Sequence, residues 1–144
     1  MNYTPETIRY FIQLMKGDDS ARVWLQRNNF HELILLHFAL EGKEEAMREL
    51  TKLKFVALVA FAHAIVNGDV HAANWLAENK KFEWAAVVRY VNKKDRNAEM
   101  WLLKHKLYHF AELARAIREK EEATQDDDIL GLFRKFIQSF RKKK

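Results

Sequence analysis

A chain of 144 residues with 49% hydrophobic side chains can bury one sizeable core, and its 4 Gly and 1 Pro are too few for a many-stranded sheet, which needs a turn signal about every 8–12 residues. It contains no Cys, which excludes disulfides and thiolate metal sites. The formal charge of +5 is uneven: residues 1–69 hold 8 basic and 9 acidic side chains, residues 70–144 hold 17 and 11, so the second half is the part that attracts an anionic partner.

Thr4 caps a first helix and Pro5 opens it, where the missing N–H of proline costs nothing. Gly17 ends it, and Asp18, Asp19 or Ser20 caps a second helix that stops near Asn28-Asn29. The third spans residues 30–41 and stops at Gly42; the fourth spans 43–53. Residues 55–66 form the fifth and most apolar helix, expected at the centre with neighbours on several sides. Asn67-Gly68 is a turn, and Asp69 caps the sixth helix, to Asn79. The seventh covers residues 82–91, Asn92-Lys93-Lys94 replaces the glycine turn, and Asp95 caps the eighth, to about His105. The ninth runs over about residues 107–121. After a polar connection, Ile129, Leu132, Phe133, Phe136, Ile137 and Phe140 recur at helical spacing, which predicts a capping helix over 128–141.

These elements repeat. Ala72-x-x-Trp75-Leu76 returns as Ala98-x-x-Trp101-Leu102, Ala46-x-x-Glu49-Leu50 and Ala21-x-x-Trp24-Leu25, each seven residues after Lys94, Gly42 or Gly17 (Gly68 for Trp75) as counted to the Trp or Glu. A period of about 26 residues means stacked copies of one helix hairpin. The units are 3–29, 30–54, 55–81, 82–106 and 107–141, within a single domain of residues 1–144. Counted back from the turn, Leu14, Ala39, Ile65, Val91 and Ile117 form one core column, and Phe11, Leu36, Ala62, Val88 and Ala114 another. The unit-opening residues Phe30, Val56, Phe82 and Tyr108 are expected to interdigitate between units. The fold class is therefore all-α, a short α-solenoid of about five stacked hairpins and about ten helices.

Thr4-Pro5, Phe61-Ala62-His63-Ala64, Asn67-Gly68-Asp69 and Trp75-Leu76-Ala77-Glu78-Asn79 resemble the parts of an ankyrin repeat: the opening Thr-Pro, the small-residue helix, the turn and the Leu-containing second helix. About 120 residues follow this register, but in units shorter than the roughly 33 residues of that family, and the segment that would form a β-hairpin finger is missing. The resemblance implies first helices lining a concave, partner-binding side.

On that side one column reads Ile12, His37, His63, Arg89 and Arg115, predicted to stand about 10 Å apart on adjacent helices as a basic ladder for an acidic or phosphorylated segment. Tyr90 flanks the ladder, and Trp84, alone among the four Trp in lying on a first helix, is the aromatic expected to meet a ligand. The plainer readings are a solvated face for the ladder, a buried hydrogen-bonded imidazole for His63, and packing wedges for Trp24, Trp75 and Trp101. His105 and His109 are four apart but lack a third ligand, so no metal site is expected. There is no phosphate loop, nucleophile elbow or carboxylate pair, so no cofactor and no catalysis are expected. No residue run has the length for a bilayer span, and residues 1–16 carry Glu6 and Arg9 with no signal-peptide pattern, so a soluble cytoplasmic protein is expected. The expected function is a non-catalytic protein-interaction module using His37, His63, Trp84, Arg89, Tyr90 and Arg115; the alternative is nucleic-acid binding through the basic second half.

Overall fold

Two kinds of chain reversal, repeated in register, set the architecture of the computed structural model, which describes residues 3–123. Gly17, Gly42 and Gly68 close the first helix of each unit with φ of 94°, 90° and 63°, and Lys94 adopts the same left-handed turn with φ 54°. The connections between units reverse at Asn29, Lys54, Lys80 and Lys106, with φ of 63°, 65°, 60° and 59°. Between these points lie eight complete helices: α1 (Pro5–Met15), α2 (Asp19–Arg27), α3 (His31–Leu40), α4 (Glu44–Lys52), α5 (Val56–Asn67), α6 (Val70–Glu78), α7 (Phe82–Lys93) and α8 (Arg96–Lys104). A ninth, α9, is described over residues 108–123. No strand occurs among the described residues, so the fold is all-α. The expected helix over 128–141 lies outside them.

Side-chain caps fix most second helices. Asp18, Asp69 and Asp95 accept from the first-turn amides of α2, α6 and α8, and Thr4 accepts from the Thr7 amide at 3.2 Å. The helices α3, α5 and α7 begin at Phe30, Phe55 and Lys81 without a side-chain cap.

Each odd helix pairs with the next even one, and the hairpins join through α1–α3, α3–α5 and α5–α7 contacts. An even helix touches only its own partner and the next odd helix, so the even helices are splayed outside an inner cluster of odd ones. α5 meets α3, α4, α6 and α7, the central place expected for the most apolar helix. Both core columns, Leu14 to Ile117 and Phe11 to Ala114, are buried along their whole length. Burying each Leu, Ile, Val or Phe of these columns stabilises by about 1.5–3 kcal/mol.

The inner cluster also closes on itself. Tyr3, before α1, meets Phe30 at 6.0 Å and Trp84 of α7 at 6.1 Å, both edge to face. Trp84 in turn meets Phe61 at 4.8 Å and Phe110 of α9 at 5.1 Å. At the other end Lys120 of α9 reaches Glu41 at 3.6 Å, and Met15 and Lys16 of α1 share a cavity with Ala116 and Glu119 of α9. Two expectations change here. Trp84 is only 2% exposed and is the hub of this aromatic cluster, so it packs the core where a ligand contact was expected. The unit-opening column is not packed between units: Val56, Phe82 and Tyr108 are 53%, 47% and 54% exposed, and only Phe30 is covered.

Candidate binding surfaces

The column His37, His63, Arg89 and Arg115 lies on α3, α5, α7 and α9, but each member is engaged differently. His37 places Nε2 3.3 Å from Glu41, and its Nδ1 is buried without a hydrogen-bond partner among the described residues. Burial pushes this imidazole below its ordinary range, against the opposing charge of Glu41. His63 is half-buried, and its Nδ1 accepts from the Asn67 amide at 3.1 Å. The guanidinium of Arg89 pairs with Asp95 at 3.2 Å, and that of Arg115 with Glu99 at 3.2 Å. Both arginines are exposed yet partnered by carboxylates of α8 or its cap, so the basic ladder is largely neutralised within the chain. Tyr90 is buried, and the Arg118 guanidinium lies 5.1 Å above its ring.

Among the ladder residues, His63 and Arg89 border equivalent spaces one repeat apart, and His37 borders a separate cavity. A groove of about 640 Å³ runs between α4 and the last turns of α5, with Ala39, Met47 and Val66 below and Lys43, Arg48 and His63 beside it. A groove of about 710 Å³ runs between α6 and the last turns of α7, with Ala73, Ala77 and Val88 below and Arg89, Lys93 and Arg118 beside it. Met47 and Ala73 are counterparts 26 residues apart, as are His63 and Arg89. Asn92, at the edge of the second groove, donates to the Ala64 carbonyl at 2.8 Å and holds α7 against α5. Glu121 also borders this groove, and burial raises its carboxyl above the ordinary range. A third cavity, of about 540 Å³, is enclosed by Met15, Leu40, Ile65 and Ile117 with His37 and Lys120 at its mouth.

The histidines considered for metal are occupied separately. His105 donates from Nδ1 to the Trp101 carbonyl at 2.8 Å and stacks on that indole, while His109 is buried against Phe110. Among the described residues no group of three His, Cys, Asp or Glu side chains is placed to hold a metal ion, and no helix is long and apolar enough to cross a membrane.

What the sequence reading missed lies at the opposite end, on the connections between units. Leu53, Val56, Phe82 and Tyr108 are all about half exposed there, beside Lys54, Lys80 and Lys106. The signal was present: Lys54 and Val56, Lys80 and Phe82, and Lys106 and Tyr108 repeat at a strict 26-residue interval. No family model, curated protein or solved structure matches this chain.

Proposed function

We propose that this chain is a non-catalytic protein-interaction module of ankyrin-like type, and that the partner lies across the two equivalent grooves beside α5 and α7. The observation that carries this reading is the recurrence of a groove at a one-repeat interval, with the lining positions of Ala39, Met47 and His63 returning as Ile65, Ala73 and Arg89. A partner segment with aliphatic side chains spaced to enter both grooves gains apolar burial twice, with adjacent helices setting a separation of about 8–10 Å. Lys43 and Arg48 beside the first groove outnumber Glu44, so carboxylates on that segment are favoured. The turn segments around the grooves (16–20, 41–45, 67–71, 93–97 and 119–123) hold ten acidic against six basic residues, so the attraction is local to the first groove's cations and does not extend to a long polyanion such as nucleic acid.

The test is an amide chemical-shift titration with a panel of synthetic peptides bearing two aliphatic anchors and intervening carboxylates. Shifts are expected at Gly42, His63, Gly68 and Arg89, and Arg48→Glu combined with Lys93→Glu should weaken binding about tenfold or more, the loss of a few rim charges. Shifts absent from both grooves, or found only at the far end of the molecule, would reject the reading.

A further inference from the structure

The connection end of the molecule carries a surface that shares only Lys52 of its cations with the grooves. The four connections, residues 26–31, 51–57, 77–83 and 103–109, hold seven basic side chains (Arg27, Lys52, Lys54, Lys80, Lys81, Lys104 and Lys106) against two acidic ones, Glu78 and Glu83. That surplus of five equals the formal charge of the whole chain, +5, so the remainder is balanced. None of the seven makes an ion pair among the described residues, whereas Arg89, Arg115 and Arg118 all do. Three of them, Lys54, Lys80 and Lys106, stand at left-handed positions where glycine is less costly. Leu53, Val56, Phe82 and Tyr108 are exposed among these lysines, and the turn end opposite carries a net acidic charge.

We propose that this end docks on an anionic lipid surface. Lysine stems covering apolar ground with their ammonium groups at headgroup level, around half-exposed aromatic and aliphatic side chains, match the chemistry of such an interface. The opposed charges of the two ends orient the molecule on approach, connection end first. A nucleic acid fits less well. Leu53 and Val56 have no ring on which a base could stack, and six of the seven cations are lysines, point charges lacking the fork of arginine. The proposal does not depend on the grooves: of its seven cations only Lys52 lines one, and none of Leu53, Val56, Phe82 and Tyr108 does.

The experiment uses the full chain with phosphatidylcholine vesicles made with and without phosphatidylserine. Co-sedimentation is expected only with phosphatidylserine and should fall steeply with salt. Changing Lys54, Lys80 and Lys106 together to Gln should weaken binding about 100-fold, at about 1 kcal/mol per basic residue near an anionic surface, with circular dichroism and thermal midpoint retained. The chain has no Cys, so single Phe82→Cys, Tyr108→Cys and Asn74→Cys variants can each carry an environment-sensitive fluorophore. A blue shift at positions 82 and 108, and none at 74, is the expected result. Residues 128–144 are intact in the triple variant, so vesicle binding that survives it unchanged belongs to another part of the chain and overturns the proposal. A shift at 74 without one at 82, or binding to a single-stranded oligonucleotide with none to vesicles, also overturns it.

Discussion

His37 and His109 are side chains whose ordinary chemistry the fold has changed. Burial holds both imidazoles below the ordinary 6.5; Glu41 opposes this at His37 while Lys120 and Lys43 add to it, and Arg9 adds to it at His109 against Glu112 and Glu83. The unfolded chain therefore takes up protons at a higher pH than the folded one. Their contribution to stability is complete above 6.5 and is lost as pH falls from there toward the lowered folded values. Glu32 and Glu121 act in the opposite sense, because burial raises both above 4.5 and their contribution is lost as pH rises. The two trends overlap, and a His37→Phe, His109→Phe double variant separates them. Urea denaturation of the parent and the variant should show the parent's relative stability declining as pH drops from 7.5 to 5, a range about the ordinary imidazole value. A difference that stays constant across that range would show that these imidazoles are not depressed. Composition could not reveal this behaviour: His37 and His63 are equivalent in the repeat, yet only His37 sits where α9 closes over its helix.

At the level of the helix, the aspartate caps act alike locally and unlike globally. Asp69 accepts from the His71 and Ala72 amides at 3.0 and 3.2 Å and has no ion-pair partner among the described residues. Asp69→Ala should therefore lower stability by about 1 kcal/mol in denaturant titration, the cap alone. Asp95 caps α8 through the Asn97 amide at 2.9 Å and also pairs with Arg89. A double-mutant cycle between Arg89→Ala and Asp95→Ala should return a coupling below about 1 kcal/mol, as exposed pairs do, and a larger value would mean that the pair organises the α7–α8 turn. These caps were readable from sequence because an aspartate two to three residues ahead of an apolar helix face has one local use. The helix boundaries were readable for the same reason, with α7 the exception. It runs to Lys93, past the expected stop at Val91, and ends in the same register as α5, with Lys94 in the left-handed position that Gly68 takes there.

Across the whole molecule, the period fixed which residues face inward but not how far the hairpins curve. A helix face recurring every 26 residues is compatible with an open concave wall and with an inner cluster that fills itself, since both bury the same columns. Trp84, Tyr90 and His37 were assigned to an open wall for that reason, and contacts between residues far apart in sequence decided otherwise. Tyr3 is the most direct probe of that closure. Burial and the neighbouring Glu32 carboxylate raise its phenol well above the ordinary range, and its ring touches α7. Tyr3→Ala should destabilise the chain by about 2–4 kcal/mol and should speed amide exchange in the first turns of α7, although that helix is remote in sequence. Faster exchange confined to α1 and α3 would show that the contact with Trp84 carries no energy.

The meeting of α9 with the first two hairpins has a consequence for how such a chain can vary. An open array gains or loses copies at little cost, because each unit answers only to its neighbours. Here the fifth inner helix already occupies the space beside the first, and a duplicated hairpin inserted between them would have to break the Glu41–Lys120 and Tyr3–Trp84 contacts at the two ends. The copy number of this array is set by its geometry. Change is therefore admitted at the surface positions of each unit, where the two ends carry their different chemistry, and resisted in the number of units.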